Sequence, residues 1–147
     1  MPSLTELASY LESIAPAQIA ESWDNVGVLV RCAQEVTGVL CALDITPATV
    51  REARAVGCNV IVSHHPVIFR PLKELCQDDV PALLVREGVS AVCMHTNLDK
   101  AQGGVNDVLA QALGLRDTEP FAGGIGRVGA LPETMEAAAF AQFVGRS

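Results

Sequence analysis

The sequence predicts an α/β fold in which a mostly parallel sheet is flanked by helices. Short continuous apolar runs alternate with stretches of helical periodicity, and turn residues separate the two. Continuous apolar strands that are linked by helices are typical of a parallel sheet covered on both faces. The chain has 147 residues, of which 50% are hydrophobic, and this length and composition suit one α/β domain over residues 1–147.

The first predicted element is an amphipathic helix that begins after Ser3. Ser3 and Glu6 match a capping box, in which each side chain accepts a hydrogen bond from the other residue's backbone N–H. Apolar residues then recur at helical spacing until Pro16, which cannot continue a helix. Two apolar runs follow, over residues 26–30 and 36–43, and both are predicted strands.

The second predicted helix begins after Thr46, whose side chain can cap it. Pro47 suits the first helical position, and Gly57 suits the end of the helix. A strand over residues 59–63 comes next. The remaining predicted elements are a helix, a strand and two further helices, over residues 79–87, 89–94, 105–113 and 134–144.

All three histidines of the chain follow predicted strands. His64 and His65 come directly after one strand, and His95 comes directly after the next. Ligands of open α/β sheets bind beyond the carboxyl ends of the parallel strands. Imidazole is the commonest metal ligand in proteins, and Asp99 offers a carboxylate four residues after His95. The sequence therefore predicts a metal site at this edge of the sheet.

The adjacent histidines, His64 and His65, have more than one interpretation. Neighbouring side chains in a strand point to opposite faces, so both can reach one ion only where the strand has ended. They can instead serve two ions, as in hydrolases whose metal ions lie about 3.5–4 Å apart. The alternative without a metal is a pair of surface or hydrogen-bonding histidines.

The polar residues near the predicted site also have alternatives. The segment of residues 95–99 is predicted to be a functional loop, in which Asp99 is either a metal ligand or part of an Asx turn. Asp44 either caps the helix that follows it or lines the site. Asp24 and Asn25 are predicted to shape a turn into the next strand.

Composition and charge exclude several classes of function. Ten basic residues against seventeen acidic ones give a net charge of −7, and no basic cluster marks a surface for nucleic acid or an anionic membrane. No apolar run is long enough to span a bilayer, and the N-terminus lacks a signal-peptide pattern. The five cysteines form no Cys-x-x-Cys pair, which argues against a disulfide framework. A reducing, cytoplasmic setting is expected.

The glycine-rich segment over residues 124–129 formally matches the Gly-x-Gly-x-x-Gly pattern of dinucleotide-binding proteins. That pattern requires a strand before it and a helix directly after it, and the sequence predicts neither. We therefore interpret the segment as a glycine-rich turn.

Taken together, the motifs resemble the Nif-three-like family of dinuclear-metal proteins, which includes type 2 GTP cyclohydrolase I-like proteins. The matching segments occur in the family's order and span nearly the whole chain, at residues 16–27, 42–46, 63–69, 95–99, 103–107 and 124–129. The resemblance implies an α/β fold, a ring-shaped homo-hexamer and a metal-dependent hydrolase. It also implies a small-molecule substrate such as a nucleotide, with no nucleic acid or membrane as partner.

The resemblance implies roles for individual residues. His64, His65 and Asp99 correspond to ligands of two divalent ions, for which Zn, Fe, Mn or Ni are suitable. His95 is expected close to the ions as a supporting residue, and either His95 or Asp44 as a carrier of protons. The alternative function is a metal-binding or regulatory assembly protein without turnover.

The resemblance also implies a deficit of ligands. Family members continue into a second lobe, which supplies a further histidine and a glutamate, whereas no histidine follows His95 here. The chain is therefore expected to correspond to the N-terminal part of a larger two-lobed protein. With three of the usual five ligands, it is expected to hold metal more weakly than a complete homologue.

Overall fold

A computed structural model describes residues 1–146, so Ser147, the last residue of the predicted domain, lies outside the described residues. The chain divides into two compact units, Met1–Leu98 and Asp99–Ser147. In the first unit the elements are α1 (Leu4–Ile14), β1 (Gly27–Val30), β2 (Val39–Ala42), α2 (Pro47–Ala55), β3 (Val60–Ser63), α3 (Val80–Glu87) and β4 (Ser90–Cys93). Helix α4 (Thr96–Lys100) crosses the boundary between the units.

The first unit is built on a four-stranded sheet in the order β1-β4-β3-β2. Strands β2, β3 and β4 are parallel, whereas β1 is antiparallel to β4. The predicted mostly parallel sheet is therefore confirmed. The three parallel strands are in register, so that their last residues, Ala42, Ser63 and Cys93, lie side by side at one edge of the sheet.

Helices cover both faces of this sheet, as the continuous apolar strands predict. Val60 and Ile61 are adjacent in β3, yet they belong to different apolar clusters because strand side chains alternate between faces. Ile61 packs in a cluster with Val50 of α2 and Leu84 of α3. Val60 packs with Leu4 of α1 on the other side.

The predicted helix ends are confirmed where their side-chain chemistry is specific. Ser3 and Glu6 form the expected capping box: the Glu6 N–H donates to Ser3 Oγ at 3.1 Å, and the Ser3 N–H donates to Glu6 Oε2 at 2.7 Å. Thr46 caps α2 through the N–H of Thr49. Gly88 ends α3 in the left-handed region at φ 67°, where a residue without Cβ is favoured.

The second unit contains α5 (Val105–Ala112), a hairpin of β5 (Arg116–Phe121) and β6 (Gly126–Ala130), and α6 (Ala137–Val144). The sequence pattern did not predict β5 or β6. All six residues of β5 are exposed, so the strand lacks the apolar alternation that marks a half-buried strand.

The glycine-rich segment at residues 124–129 belongs to this hairpin. A strand does precede it, contrary to expectation, but β5 pairs antiparallel with β6 and forms no dinucleotide-binding unit. Gly124 lies in the turn at φ 90°, and a Cβ on Gly126 would lie 2.3 Å from the ring of Phe121. The interpretation as a glycine-rich turn holds for the start of the segment, whereas residues 126–129 lie in β6.

An ion pair between Arg127 and Asp107 joins β6 to α5 within the second unit. The hydrogen bond from Arg127, together with that from the Gly103 N–H, lowers the pKa of the Asp107 carboxyl. Arg127 also donates to the carbonyl oxygens of Gly124 and Gly126, at 2.8 and 3.0 Å. Among residues 1–146, no helix combines the length and the apolar character that crossing a membrane would require.

Leu84 offers a direct test of the packed core. Its side chain is fully buried, whereas the next residue on α3, Val85, is 61% exposed. We expect Leu84→Ala to lower the free energy of unfolding by about 2–5 kcal/mol, because it leaves a cavity between α3 and the sheet. The matched control Val85→Ala should change it by less than about 0.5 kcal/mol. Denaturant titration followed by circular dichroism measures both, and equal losses would contradict the described packing.

Candidate metal centre

The three histidines converge at the carboxyl edge of the parallel sheet. His64 and His65 directly follow β3, and His95 lies two residues beyond the end of β4. Each imidazole offers one nitrogen to a set whose members all lie within 4.8 Å of one another. The ring centroids are 5.2 Å apart for His64 and His65, 5.1 Å for His64 and His95, and 5.7 Å for His65 and His95. The predicted convergence of the histidines is therefore confirmed.

The adjacent histidines share a site because the regular strand ends before them. The N–H of His64 donates to Ala42 O at 3.1 Å, and the N–H of His65 donates to Leu43 O at 2.9 Å. In a regular strand, consecutive N–H groups point to opposite sides. Ser63 also donates from its hydroxyl to His65 O at 2.9 Å, which supports the irregular backbone. The imidazole rings of His64 and His65 therefore lie close together, whereas in a regular strand they would point to opposite faces of the sheet.

The tautomer of His64 follows from its hydrogen-bond partner. Its Nδ1 lies 3.0 Å from the backbone carbonyl oxygen of Met94. Because a carbonyl oxygen can only accept, Nδ1 must carry the hydrogen. In the neutral ring, Nε2 then holds the lone pair that binds a metal.

His65 and His95 show the same arrangement with carboxylates as acceptors. Nδ1 of His65 lies 2.8 Å from Asp44 Oδ1, and Nδ1 of His95 lies 2.9 Å from Asp24 Oδ1. Histidines that bind metals generally donate their other ring N–H to a carboxylate or a carbonyl, which fixes the ring and raises its basicity. All three imidazoles therefore meet this requirement through Nδ1.

Asp24 has a larger role than the predicted turn. Its N–H does close a turn onto Glu21 O at 3.0 Å, but its buried carboxylate accepts hydrogen bonds from His95, Thr96 and Asn25. Burial alone would raise the pKa of the Asp24 carboxyl, but these hydrogen bonds outweigh it and hold the pKa below its usual range. Sequence reasoning missed the contact with His95 because 71 residues separate the partners.

Asp44 contacts the site through its side chain. The cap of α2 is provided by Thr46, so the Asp44 carboxylate is left to accept from His65. This pair is open to water, with 57% of the Asp44 side chain and 47% of the His65 side chain exposed. The role of Asp44 as a proton carrier stays a prediction.

The segment of residues 95–99 is helical rather than a loop. Leu98 N–H donates to His95 O at 2.8 Å, and α4 begins at Thr96. The expectation of a loop is therefore wrong, because the polar residues of this segment complete a helical turn. Asp99 lies in α4 and opens the second unit, and its role as a metal ligand stays a prediction.

The spacing of the three nitrogens is compatible with one ion or two. A metal–nitrogen bond of about 2.1 Å allows at most about 4.2 Å between two nitrogens on one ion. The observed limit of 4.8 Å is slightly wider. A single ion bound by all three rings would need the most widely spaced nitrogens to move slightly closer together.

Aromatic side chains adjoin the histidines on one side. The Trp23 ring meets the Phe69 ring at 6.0 Å and the His95 ring at 6.4 Å, both with edge-type geometry. Asn25 Nδ2 donates to Ile68 O at 2.6 Å and so ties the two segments that carry Trp23 and Phe69. Sequence reasoning assigned no part in the site to either ring.

Sequence similarity identifies the family of the chain. Residues 2–147 match the family described as Duf34/NIF3 (NGG1p interacting factor 3). The chain belongs to the Duf34/NIF3 family. The resemblance that the sequence motifs carry is thus confirmed.

Curated relatives in this family are longer than the chain. It is 42% identical over 118 residues to a Staphylococcus aureus protein named GTP cyclohydrolase 1 type 2 homolog, and this match covers 78% of the chain and 32% of the relative. A Lactococcus lactis protein of the same name is 42% identical over 125 residues, which cover 80% and 49%. The chain therefore spans about a third to a half of the length of these relatives.

Solved structures of Duf34/NIF3 relatives share the fold. A Bacillus cereus protein related to NIF3 matches with a TM-score of 0.74 and 40% identity, over 81% of this chain and 34% of that protein. Reduced HcgD from Methanocaldococcus jannaschii matches with a TM-score of 0.85 and 25% identity, over 99% and 60%. The α/β fold of the chain is that of the family.

Cys93 tests the burial of the sheet edge beneath the site. Burial, and then the negative charge of Asp24, raises the pKa of the Cys93 thiol to about 12, and its S–H donates to His64 O at 3.2 Å. We expect iodoacetamide at mildly alkaline pH to leave Cys93 unmodified in the folded protein, because only the thiolate reacts. The exposed Cys41 is the matched control and should be alkylated. Peptide mass spectrometry measures the labelling of both thiols. Equal labelling without denaturant would contradict the burial of Cys93.

Proposed function

We propose that this Duf34/NIF3 chain forms part of a metal-dependent hydrolase, with His64, His65 and His95 presenting Nε2 to divalent ions. One observation carries the proposal: each Nδ1 is engaged by an oxygen acceptor, and the three rings each offer one nitrogen within 4.8 Å of the others. This geometry supports a ligand role for His95 equal to that of the adjacent pair, in place of the supporting role that the family resemblance implied.

The donor set fits the divalent ions that the family resemblance implies. Neutral imidazole nitrogens suit Zn, Fe, Mn and Ni, and Asp99 would add a carboxylate. The carboxylates of Asp24 and Asp44 place negative charge behind two of the rings, which favours a cation in front of them. Two ions in the site, as in two-metal hydrolases, would follow from the family resemblance.

The reaction that we propose is the hydrolysis of a small molecule, with GTP as the first candidate because of the relatives' names. When bound, the ions would act as Lewis acids that polarise the substrate and lower the pKa of water. Asp24 would hold the His95 ring in one orientation throughout the reaction. Asp44 is open to solvent beside His65 and could pass a proton between the site and bulk water.

Other properties that the resemblance implies belong to the same proposal. The complete site would draw a further histidine and a glutamate from a second lobe. The assembly would be a ring-shaped homo-hexamer in the cytoplasm. These statements rest on membership of the family.

Metal content is the first test of the proposal. We expect His64→Ala, His65→Ala and His95→Ala each to lower the metal retained after gel filtration, as measured by elemental analysis. Gln77→Ala, a substitution of an exposed polar residue, is the control and should retain as much metal as the wild type. Unchanged metal content in all three histidine variants would refute the site.

Turnover separates the hydrolase from a metal-binding protein that performs no reaction. The metal-loaded chain is incubated with GTP, and the loss of GTP is followed by chromatography. Loss that depends on metal and on His64 supports the hydrolase. Retained metal without any loss of GTP, in this chain and equally in a full-length relative, supports the alternative, a metal-binding or assembly protein. Light scattering with and without chelator then measures whether assembly needs the ion.

The two supporting carboxylates should contribute unequally to metal affinity. We expect Asp24→Asn to weaken metal binding by about 10- to 100-fold, because the amide removes the buried negative charge behind the His95 ring and has one acceptor oxygen where the carboxylate used two, for His95 and Thr96. Asp44→Asn should cost less, because water can replace the exposed carboxylate beside His65. Competition with a chromophoric chelator measures both affinities. A larger loss in the Asp44 variant would contradict this order.

The number of ions per chain is a separate expectation. With part of the family's ligand set, this chain should retain metal more weakly than a full-length relative under the same chelator challenge. Two tightly held ions per chain in elemental analysis would contradict that expectation.

A further inference from the structure

We propose that Trp23 and Phe69 form a platform on which a flat heteroaromatic ring of the substrate, such as a purine base, stacks beside the histidines. This inference rests on the proposed function, because it assumes that the substrate binds at the edge of the sheet that carries the histidines. Binding of the ring can nevertheless be measured separately from binding of metal.

The first observation is the exposure of large aromatic rings next to a polar site. Trp23 is the sole tryptophan of the chain, and 58% of its surface is accessible. Phe69 is 43% exposed. A tryptophan brings a large apolar surface and is well buried on average, so one that remains open beside candidate ligands calls for a partner.

The second observation is that the backbone on both sides of the rings is held in place. The side chain of Asp24, next to Trp23, is buried and hydrogen-bonded to His95 and Thr96. Asn25 reaches across to Ile68 O, the carbonyl next to Phe69, at 2.6 Å. The rings are therefore presented by anchored segments, which lowers the entropy that a ligand must overcome on binding.

The third observation is the orientation of the rings. The Phe69 plane is inclined by 67° to the Trp23 plane, and the His95 plane by 76°. Neither neighbour stacks flat on Trp23, so parallel stacking on the indole is left to another planar group. A base stacked on the Trp23 indole would lie close to His95, because the centroids of the Trp23 and His95 rings are 6.4 Å apart.

The class of ligand follows from this geometry. Bases stack on aromatic side chains through their faces, and the interaction tolerates any planar heterocycle. An aliphatic or purely phosphate ligand would gain nothing from Trp23. The alternative occupant is another polypeptide, since Leu72 and Leu75 are also exposed in the segment after Phe69.

The test uses guanosine, GTP and inorganic tripolyphosphate as probes. Because Trp23 is the sole tryptophan, stacking of a base should quench the protein's intrinsic fluorescence with a saturable dependence on guanosine or GTP. Tripolyphosphate carries the anionic groups without a ring, and it should bind without that quenching.

Variants at Trp23 then measure the contribution of the ring. Affinity for guanosine and GTP is measured by equilibrium dialysis, because the variants lack the fluorophore. We expect Trp23→Leu to weaken both by roughly 5- to 150-fold, and Trp23→Phe to retain most of the affinity, since base stacking on an aromatic side chain has that range. Tyr10→Leu removes another exposed aromatic ring, on α1, and is the matched control that should leave both affinities unchanged.

The outcomes distinguish the platform from the metal site. Metal content is measured in every variant, and it should match the wild type in Trp23→Leu. Equal affinity for guanosine in Trp23→Leu and wild type would overturn the platform and leave the metal proposal standing. Guanosine binding that depends on Trp23 in a chain that retains no metal would uphold the platform and refute the metal site. Equal loss of tripolyphosphate and GTP binding in Trp23→Leu would also overturn the platform, as would a surface that binds neither guanosine nor GTP.

Discussion

The buried carboxylate of Asp24 is the interaction on which the candidate site depends. Leaving an ionised carboxylate away from water is costly, and here hydrogen bonds from His95, Thr96 and Asn25 offset that cost. The same bonds join the segment after α1 to the end of β4. The orientation of His95 and the position of the neighbouring Trp23 both follow from this junction.

The parallel sheet supplies the other half of the site. Its strands end in register, so the residues that follow β3 and β4 meet at one edge. The three imidazoles are then held by three different acceptors: a backbone carbonyl, an exposed carboxylate and a buried carboxylate. Although these acceptors differ in their access to water, all three engage the same ring nitrogen, Nδ1. This shared outcome is what makes a metal centre a stronger interpretation than three unrelated histidines.

Membership of the Duf34/NIF3 family and the arrangement of the three histidines are two separate observations, and each supports the metal centre. The family match spans residues 2–147, but the curated relatives are two to three times as long as the matched region. The histidines all lie in the first unit, Met1–Leu98, and form a set of nitrogen donors there. The exposed aromatic rings of Trp23 and Phe69 lie on one side of that set, where we propose that a planar ligand stacks.

The sequence alone determined the α/β class, the parallel strands, the capped helix ends and the clustering of the histidines, because each depends on periodicity or on chemistry between near neighbours. Tertiary structure decided the rest. Strand β5 exposes all its residues and so has no periodic signal, and α4 consists of polar residues that local patterns assign to a loop. The contact of Asp24 with His95 joins residues 71 positions apart, and no local rule predicts it. Long-range pairing depends on which surfaces the fold brings together, and that physical information is not carried by residue spacing.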